Sequence, residues 1–206
     1  MIVNNFLKEY YNKPIRELPY AILDLETTGF KPGPAKITEV AIILYENGKE
    51  ERFESLVNPE CHIPEEITNL THITDEMVKN APITKEITPY LREILDNRIF
   101  VSHNVPFDFS FFDYFFNECL SYDYNSISLC TLFLARKLLS LKSNKLENVA
   151  SYFGYKLKDA HRAMNDTEAV KFLLLVFFDL LENNKIVTLK DLYENGLIFV
   201  GKPPKR

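Results

Sequence analysis

The sequence is poor in three features that would each suggest a class of protein: paired cysteines, excess positive charge and long apolar runs. Its three cysteines (Cys61, Cys119 and Cys130) show no CxxC spacing, so neither a disulfide framework nor a zinc site is indicated. The 24 Lys and Arg against 29 Asp and Glu give a formal charge of −5. That balance argues against a general nucleic-acid coating protein but not against an enzyme that grips a few nucleotides.

No stretch suggests a membrane span or a secretory signal. The most apolar run, FLLLVFFDLL from Phe172, is far shorter than the ~20 residues that cross a bilayer. The first 18 residues carry charges throughout and lack the apolar stretch of a signal peptide. We therefore expect a cytoplasmic protein without membrane partners.

The pattern along the chain predicts three parts. They are an N-terminal arm over 1–18, a main domain over 19–182 and a C-terminal appendage over 183–206.

Hydrophobic patterning predicts an α/β fold. A strand is expected at 20–26, followed by two strands joined at Asn47-Gly48, the strongest short hairpin signal. RIFVSHN is typical of a buried strand because its apolar residues run together. Helices are expected over 84–96, from about 106, and over 131–141, 145–153 and 162–182. Antiparallel strands followed by alternating strands and helices predict a mixed sheet with helices on both faces.

Two carboxylates end the first strand, in the stretch YAILDLETTGF. Because side chains alternate along a strand, Asp24 and Glu26 share one face, about 7 Å apart at ~3.3 Å per residue. Gly29 then allows a sharp turn at the carboxyl end of the strand, which is the sheet edge where ligands bind in open α/β folds. An isolated pair of this kind could also lie in water beyond the strand.

Two further acids fall on the apolar stripes of predicted helices. Asp108 shares a face with the phenylalanines three, four and seven residues later, and Asp166 shares one with the apolar residues of AVKFLLLVFF. An acid in such a place costs free energy unless a cation or donors meet it. Each acid alone could be satisfied by a nearby loop, and His161 alone could be a polar cap. Asp113 is interpreted as a surface acid.

Taken together, these acids predict a metal site. Four close carboxylates would repel one another unless cations intervened, and all-oxygen sites suit the hard ions Mg²⁺ and Mn²⁺. Two such ions about 4 Å apart promote in-line attack on a phosphodiester. His161 would add a base that titrates near neutral pH and can take the proton from the attacking water.

Three motifs resemble a known family. DLETTG at 24–29, HNVPFD at 103–108 and HRAMND at 161–166 are similar, in order and spacing, to the motifs of the DEDDh 3′–5′ exonucleases. This DnaQ-like group includes the proofreading epsilon subunit of bacterial DNA polymerase III. The resemblance covers about residues 19–180. It implies a ribonuclease-H-like α/β fold with a mixed five-stranded sheet and helices on both faces.

The resemblance also implies roles, carried over by position. Metal binding by two divalent ions, Mg²⁺ or Mn²⁺, is implied for Asp24, Glu26, Asp108 and Asp166, with His161 as the general base. Contact with the 3′-terminal nucleotide is implied for Thr27, Thr28 and Gly29, and His103 and Asn104 fit the family's HN pair. The implied reaction releases nucleoside 5′-monophosphates from a single-stranded or frayed 3′ end of DNA, in proofreading beside a DNA polymerase catalytic subunit.

Two departures leave the substrate open. His72 stands where the family commonly has glycine, and Cys130 stands where relatives often have Asp; His62 and His72 are expected to be exposed. A single-strand repair enzyme or an RNA-trimming enzyme would use the same chemistry. A haloacid-dehalogenase-type phosphatase would need a late acidic pair, and the chain has no Asp-Asp dipeptide. An inactive scaffold would be suggested by loss of one acid, and none is lost.

Overall fold

One mixed sheet organises the chain. The computed structural model describes residues 2–157 and 161–204. Six strands are ordered β3–β2–β1–β4–β5–β6. Their bounds are β1 Tyr20–Thr27, β2 Ile37–Glu46, β3 Lys49–Leu56, β4 Ile99–Ser102, β5 Ser126–Cys130 and β6 Phe199–Gly201. β4 pairs parallel with β1 on one side and with β5 on the other. β2 pairs antiparallel with β1 and β3, and β6 pairs antiparallel with β5. The predicted α/β class and mixed sheet are confirmed.

Helices cover both faces of this sheet. Their bounds are α1 Ile2–Tyr10, α2 Glu65–Thr71, α3 Asp75–Val78, α4 Thr84–Leu95, α5 Val105–Leu120, α6 Thr131–Leu138, α7 Leu146–Tyr152, α8 Ala163–Asn183 and α9 Leu189–Glu194. The apolar stripe of α8 packs with α6, α7 and α9 on one face. The phenylalanine-rich side of α5 packs with α4 on the other face. Both layers meet β1, which is therefore the central strand of the core.

The hairpin forms where its turn residues predict it. β2 and β3 are joined by Asn47 and Gly48 alone, and both have positive φ, 51° and 77°. A two-residue turn of this kind requires positive φ at both positions and matches the twist of the flanking strands. His72 also has positive φ, 60°, at the C-terminus of α2. Glycine adopts this left-handed conformation most easily, which explains why glycine is common at this position in the family.

The expected count of five strands is wrong by one. β6 lies in the C-terminal segment and pairs antiparallel with β5, Ser128 opposite Phe199. A strand of three residues gives almost no periodic signal, so the pairing depends on the exposed edge of β5 rather than on local pattern. The last two residues of the predicted appendage, 205–206, and the first of the predicted arm lie outside the described part. The predicted domain limits stay a prediction.

The segments near the two ends of the chain meet on one side. The backbone N–H of Ile15 donates to the Val187 carbonyl (2.9 Å), and that of Lys190 donates to the Tyr11 carbonyl (2.7 Å). Arg16 adds ion pairs to α8 near its C-terminal end. Over the described residues, no helix has the length and apolar character to cross a membrane.

Candidate active site

The candidate site lies where β1 extends beyond the end of its parallel neighbour, β4. β4 pairs only with Tyr20–Ile22 of β1, so the half of β1 that carries Asp24 and Glu26 extends past the end of β4. Between β1 and β4 the strand order also reverses direction, since β2 and β3 lie on one side and β4 to β6 on the other. Ligands in open α/β sheets bind at the carboxyl ends of strands at such a point. Both acids therefore lie where the fold leaves a crevice.

Two helices bring their first turns to the same place. Asp108 is the fourth residue of α5 and Asp166 the fourth of α8, and both are buried, at 3% and 7% exposed. The free backbone N–H groups and the macrodipole of a helix favour negative charge near its N-terminus. The two helix starts thus offset part of the cost of burying these carboxylates. The predicted placement of both acids on buried helical stripes is confirmed.

The carboxylates act on one another electrostatically. Burial raises the pKa of Asp24 well above its ordinary value, and the nearby charges of Asp108 and Asp166 raise it further. Burial, followed by the charge of Asp166, raises the pKa of Glu26 to about 8. Burial also raises the pKa of Asp166 to about 6, although a hydrogen bond from the His161 backbone opposes the shift. Without a cation, the protein resists ionising this group of acids at neutral pH.

Three of the predicted residues converge on a common point. Potential ligand atoms of Glu26, His161 and Asp166 all lie within 4.8 Å of one another. The backbone N–H of His161 donates to Asp166 Oδ2 (3.2 Å), while Asp166 Oδ1 is buried with no partner among the described residues. A buried carboxylate oxygen without a donor is costly, and a hard cation would satisfy it. The oxygen-rich donor set therefore fits a divalent metal ion.

A neighbouring acid has a different environment. Glu39 of β2 lies directly opposite Glu26 of β1 and is 1% exposed. The Arg162 guanidinium donates to Glu39 through Nε (3.2 Å) and a terminal nitrogen (2.7 Å), and the Ala163 backbone N–H donates to the same carboxylate (2.9 Å). Glu39 thus caps the start of α8 and fixes Arg162, the residue after His161. We name this contact the Glu39–Arg162 clamp.

Comparison with known proteins agrees with this geometry. The family model described as Exonuclease (RNase T type) matches residues 21–174, the span from β1 into α8. The chain belongs to this exonuclease family.

Relatives of this exonuclease-family chain include polymerase proteins. It is 35% identical over 149 residues to the DNA polymerase III subunit epsilon of Aquifex aeolicus, covering 71% of this chain and 74% of that protein. It is 31% identical over 196 residues to a PolC-type DNA polymerase III of Staphylococcus epidermidis, covering 90% of this chain but 14% of that protein. The chain therefore spans only a small part of the PolC-type relatives. The predicted membership of the DnaQ-like exonuclease group is confirmed.

Solved exonuclease structures share the fold. Exonuclease X in complex with 5′-overhanging duplex DNA matches with a TM-score of 0.63 and 22% identity, over 81% of this chain and 93% of that one. Escherichia coli exonuclease I in complex with a dT13 oligonucleotide matches with a TM-score of 0.67 and 18% identity, over 80% of this chain and 43% of that one. At these identities the likeness concerns the fold, and it agrees with the predicted ribonuclease-H-like sheet.

In this exonuclease-family fold, His103 is held by the protein itself. Its Nε2 lies 2.8 Å from the Asn144 carbonyl, which can only accept, so Nε2 carries the proton and Nδ1 accepts from the Thr131 hydroxyl (2.9 Å). Burial lowers the pKa of His103 to about 4, which keeps the ring neutral. His103 therefore links the end of β4 to the loop before α7. Its predicted role in substrate binding stays a prediction.

The loop after β1 is braced by its own threonines. Thr27 Oγ1 donates to the Gly29 carbonyl (2.6 Å), and Thr28 exchanges two hydrogen bonds with Lys36 across the loop, through its backbone N–H (2.8 Å) and its hydroxyl (3.0 Å). A Cβ on Gly29 would lie 3.4 Å from the Ala35 side chain, an ordinary van der Waals distance, so the loop packs closely against Ala35. The three residues predicted to hold the 3′ nucleotide thus define a preformed loop, and their substrate contacts stay a prediction.

Sequence reasoning missed two residues of interest here. Glu39 occupies an ordinary position in ITEVAIILYE, and only its alignment with Glu26 across the hairpin could have marked it. Phe30 follows the first motif and is 85% exposed, an unusual state for an aromatic side chain. Its position directly after Gly29, at the end of the first motif, was the signal that could have marked it as a residue near the site. Asp113, interpreted as a surface acid, is paired with Lys202.

Proposed function

We propose that this chain is a divalent-metal-dependent 3′–5′ exonuclease that releases nucleoside 5′-monophosphates from DNA. The observation that carries the proposal is the convergence of Glu26, His161 and Asp166 within 4.8 Å at the carboxyl end of β1. Family membership over residues 21–174 supports it.

Four acids of this site would hold the metal. We assign two divalent ions, Mg²⁺ or Mn²⁺, to Asp24, Glu26, Asp108 and Asp166. When bound, such ions neutralise the carboxylates, polarise the phosphodiester and stabilise the leaving oxygen. The raised pKa values of Glu26 and Asp166, and the Asp166 Oδ1 atom that no described residue satisfies, both support a site that binds a cation.

His161 is suited to receive a proton. Its side chain is exposed at the mouth of the site, while its backbone is held by Asp166 on one side and by the clamped Arg162 on the other. We propose that its imidazole accepts a proton from the water that attacks phosphorus. The P–O3′ bond then breaks, the shortened strand keeps the 3′ oxygen, and the released nucleotide keeps the 5′ phosphate.

The strand end would be held by the loop after β1. The braced loop at Thr27–Gly29 can receive the terminal nucleotide, and we assign Asn104, which lines a cavity together with His161, to substrate contact as well. Exposed Phe30 can stack on a base, and such stacking contributes ~1–3 kcal/mol per base. Sequence-tolerant stacking suits a single-stranded or frayed end, which proofreading presents.

The polymerase context is part of the proposal. Relatives that carry the names DNA polymerase III subunit epsilon and DNA polymerase III PolC-type support a role in proofreading beside a polymerase catalytic subunit. A cytoplasmic location stays a prediction.

The decisive experiment offers three 5′-labelled substrates of equal length: 3′-matched DNA, 3′-mismatched DNA and single-stranded RNA. With Mg²⁺ or Mn²⁺, we expect shortening from the 3′ end in single-nucleotide steps, fastest on mismatched DNA. EDTA should stop the reaction, and Asp166→Asn should slow it roughly 10³-fold. Metal-independent cleavage, or products shortened from the 5′ end, would contradict the proposal. A clear preference for RNA would move the assignment to RNA trimming.

A further inference from the structure

A second feature lies beside the acidic cluster. A cavity of about 630 Å³ opens between α6, the loop before α7 and the turn of His161. This size falls within the ~300–1,000 Å³ typical of ligand sites. We call it the basic cavity because, within residues 2–157 and 161–204, its charged lining consists of Arg136, Lys142, Lys145 and one carboxylate, Glu147. These described residues carry three positive charges and one negative, a formal charge of +2 with histidines not counted.

The three cations are available to a ligand. Arg136, Lys142 and Lys145 are exposed, and among the described residues none of them has an ion-pair partner within 4.0 Å. Arg16 and Arg52, by comparison, each contact two carboxylates. In a chain of net charge −5, cations that have no ion-pair partner in the described part of the chain and that surround one concave surface would attract anions selectively.

The rest of the lining suits a nucleotide better than a simple anion. Leu132, Leu146 and Leu157 supply apolar surface, against which a sugar or base can pack. A ligand with anionic oxygens and an apolar ring face meets both kinds of surface, and a nucleotide unit has this combination.

The cavity also continues from the acidic site. Asn104 and His161 form part of its lining, and His161 belongs to the metal-ligand cluster as well. The His103 hydrogen bond to the Asn144 carbonyl fixes the loop that carries two of the cations relative to β4. A strand whose 3′ end reaches Glu26 and Asp166 can therefore leave the acidic site across His161 into the basic cavity.

From this continuity we infer that the basic cavity binds the phosphates of a single-stranded polynucleotide on the 5′ side of the bond that is cut. The inference rests on the proposed exonuclease function and adds the path of the strand. The two regions would have different roles. The acids would hold metal at the scissile phosphate, and the cations of the basic cavity would bind the phosphates on its 5′ side. Each phosphate neutralised on a single strand contributes a slope of about −0.7 to log K against log salt.

The test uses the full chain and two matched triple variants. Arg136→Gln, Lys142→Gln and Lys145→Gln together remove the cations of the basic cavity. Lys13→Gln, Lys49→Gln and Lys85→Gln make the same charge change at exposed positions that do not line it. Binding of a fluorescein-labelled single-stranded oligonucleotide is measured by anisotropy in EDTA between 50 and 200 mM KCl. Hydrolysis with Mn²⁺ is then measured on the oligonucleotide and on the p-nitrophenyl ester of thymidine 5′-monophosphate, which has no 5′-side strand.

We expect the cavity variant to bind the oligonucleotide at least about tenfold more weakly at 50 mM salt, with a salt slope smaller by about 2. Its KM for the oligonucleotide should rise likewise, while its hydrolysis of the small ester stays at the wild-type rate. The control variant should change each quantity less than threefold.

Other outcomes would overturn the inference. Equal effects of the two triple variants, an unchanged salt slope, or no measurable strand binding by the wild type would each do so. Equal loss on both substrates would assign the cations to the chemistry or the fold instead. Failure of the exonuclease proposal gives a separate result, because the wild type would then hydrolyse neither substrate even if strand binding depended on the cavity.

Discussion

Glu26 and Glu39 face each other across β1 and β2, and both are withdrawn from water. Glu39 receives a guanidinium and a backbone N–H in the Glu39–Arg162 clamp. Glu26 has acids as its closest electrostatic neighbours, and burial together with Asp166 raises its pKa to about 8. A buried carboxylate met by the protein's own donors fixes structure, whereas one surrounded by other carboxylates requires a cation from outside. Four predictions test this contrast.

The largest effect should follow loss of a carboxylate from the acidic group. Asp24→Asn and Asp166→Asn should each lower turnover roughly 10³-fold, because a metal ligand contributes several kcal/mol of transition-state stabilisation and ~1.4 kcal/mol is tenfold. Asp113→Asn, which removes a paired acid from α5, should stay within about threefold of the wild type. Steady-state kinetics with Mn²⁺ check this. Near wild-type turnover in either site variant would refute the metal assignment.

Breaking the clamp should have the next largest effect, and it should appear in stability. Arg162→Gln leaves Glu39 buried without its cation, so we expect the free energy of unfolding to fall by about 2–3 kcal/mol, below the ~3–5 of fully buried pairs because Arg162 is partly solvated. Adding Glu39→Gln should restore at least half of the loss. Urea unfolding of the four proteins in this cycle measures it. If the double variant is less stable than Arg162→Gln, the clamp interpretation is wrong.

The acidic group should make stability depend on pH in the absence of metal. The raised pKa of Glu26, about 8 from 4.5, means that the folded chain holds a proton that the unfolded chain releases. This stabilisation is complete below about pH 4.5 and is lost as pH rises through 8, at up to ~1.4 kcal/mol per pH unit. Urea unfolding in EDTA from pH 5 to 8 should show the decline. Saturating Mn²⁺ should weaken it, because metal favours the ionised carboxylates; an identical slope with and without metal would exclude a metal site here.

The smallest effect compares one substitution at the two opposed positions. At pH 8 in EDTA, Glu26→Gln should raise the free energy of unfolding by on the order of 1 kcal/mol, since it removes a repelled charge. Glu39→Gln should lower it by about 1–2 kcal/mol, since it weakens charge-assisted hydrogen bonds. Thermal and urea unfolding of both variants give the signs. Equal signs would remove the distinction between the two acids.

Local pattern predicted most of this molecule because the strongest signals were local. The Asn47-Gly48 turn and the apolar stripe around Asp166 each depend on residues close in sequence. The structure joins β2 and β3 at that turn, and α8 lies within one residue of the expected limits. The acids could be recognised because each interrupts such a pattern.

What could not be predicted depends on residues far apart in sequence. Glu39 is buried because Arg162, 123 positions later, reaches it, and no spacing rule joins the two. The substrate role of His103 stays a prediction, but the partners of its ring nitrogens, Thr131 and the Asn144 carbonyl, lie 28 and 41 positions later and no local pattern indicates them. β6 exists because β5 offers an open edge. In each case the determining partner is set by tertiary packing and not by period or motif.

The meeting of the segment before β1 with the segment after α8 has a consequence for local unfolding. Backbone hydrogen bonds join Tyr11 to Lys190 and Ile15 to Val187, and Arg16 pairs with Asp179 and Glu182 of α8. Each of these contacts joins residues far apart in sequence, so neither segment can detach without breaking bonds to the other. We therefore expect the two segments to open together, as one cooperative unit, in hydrogen exchange.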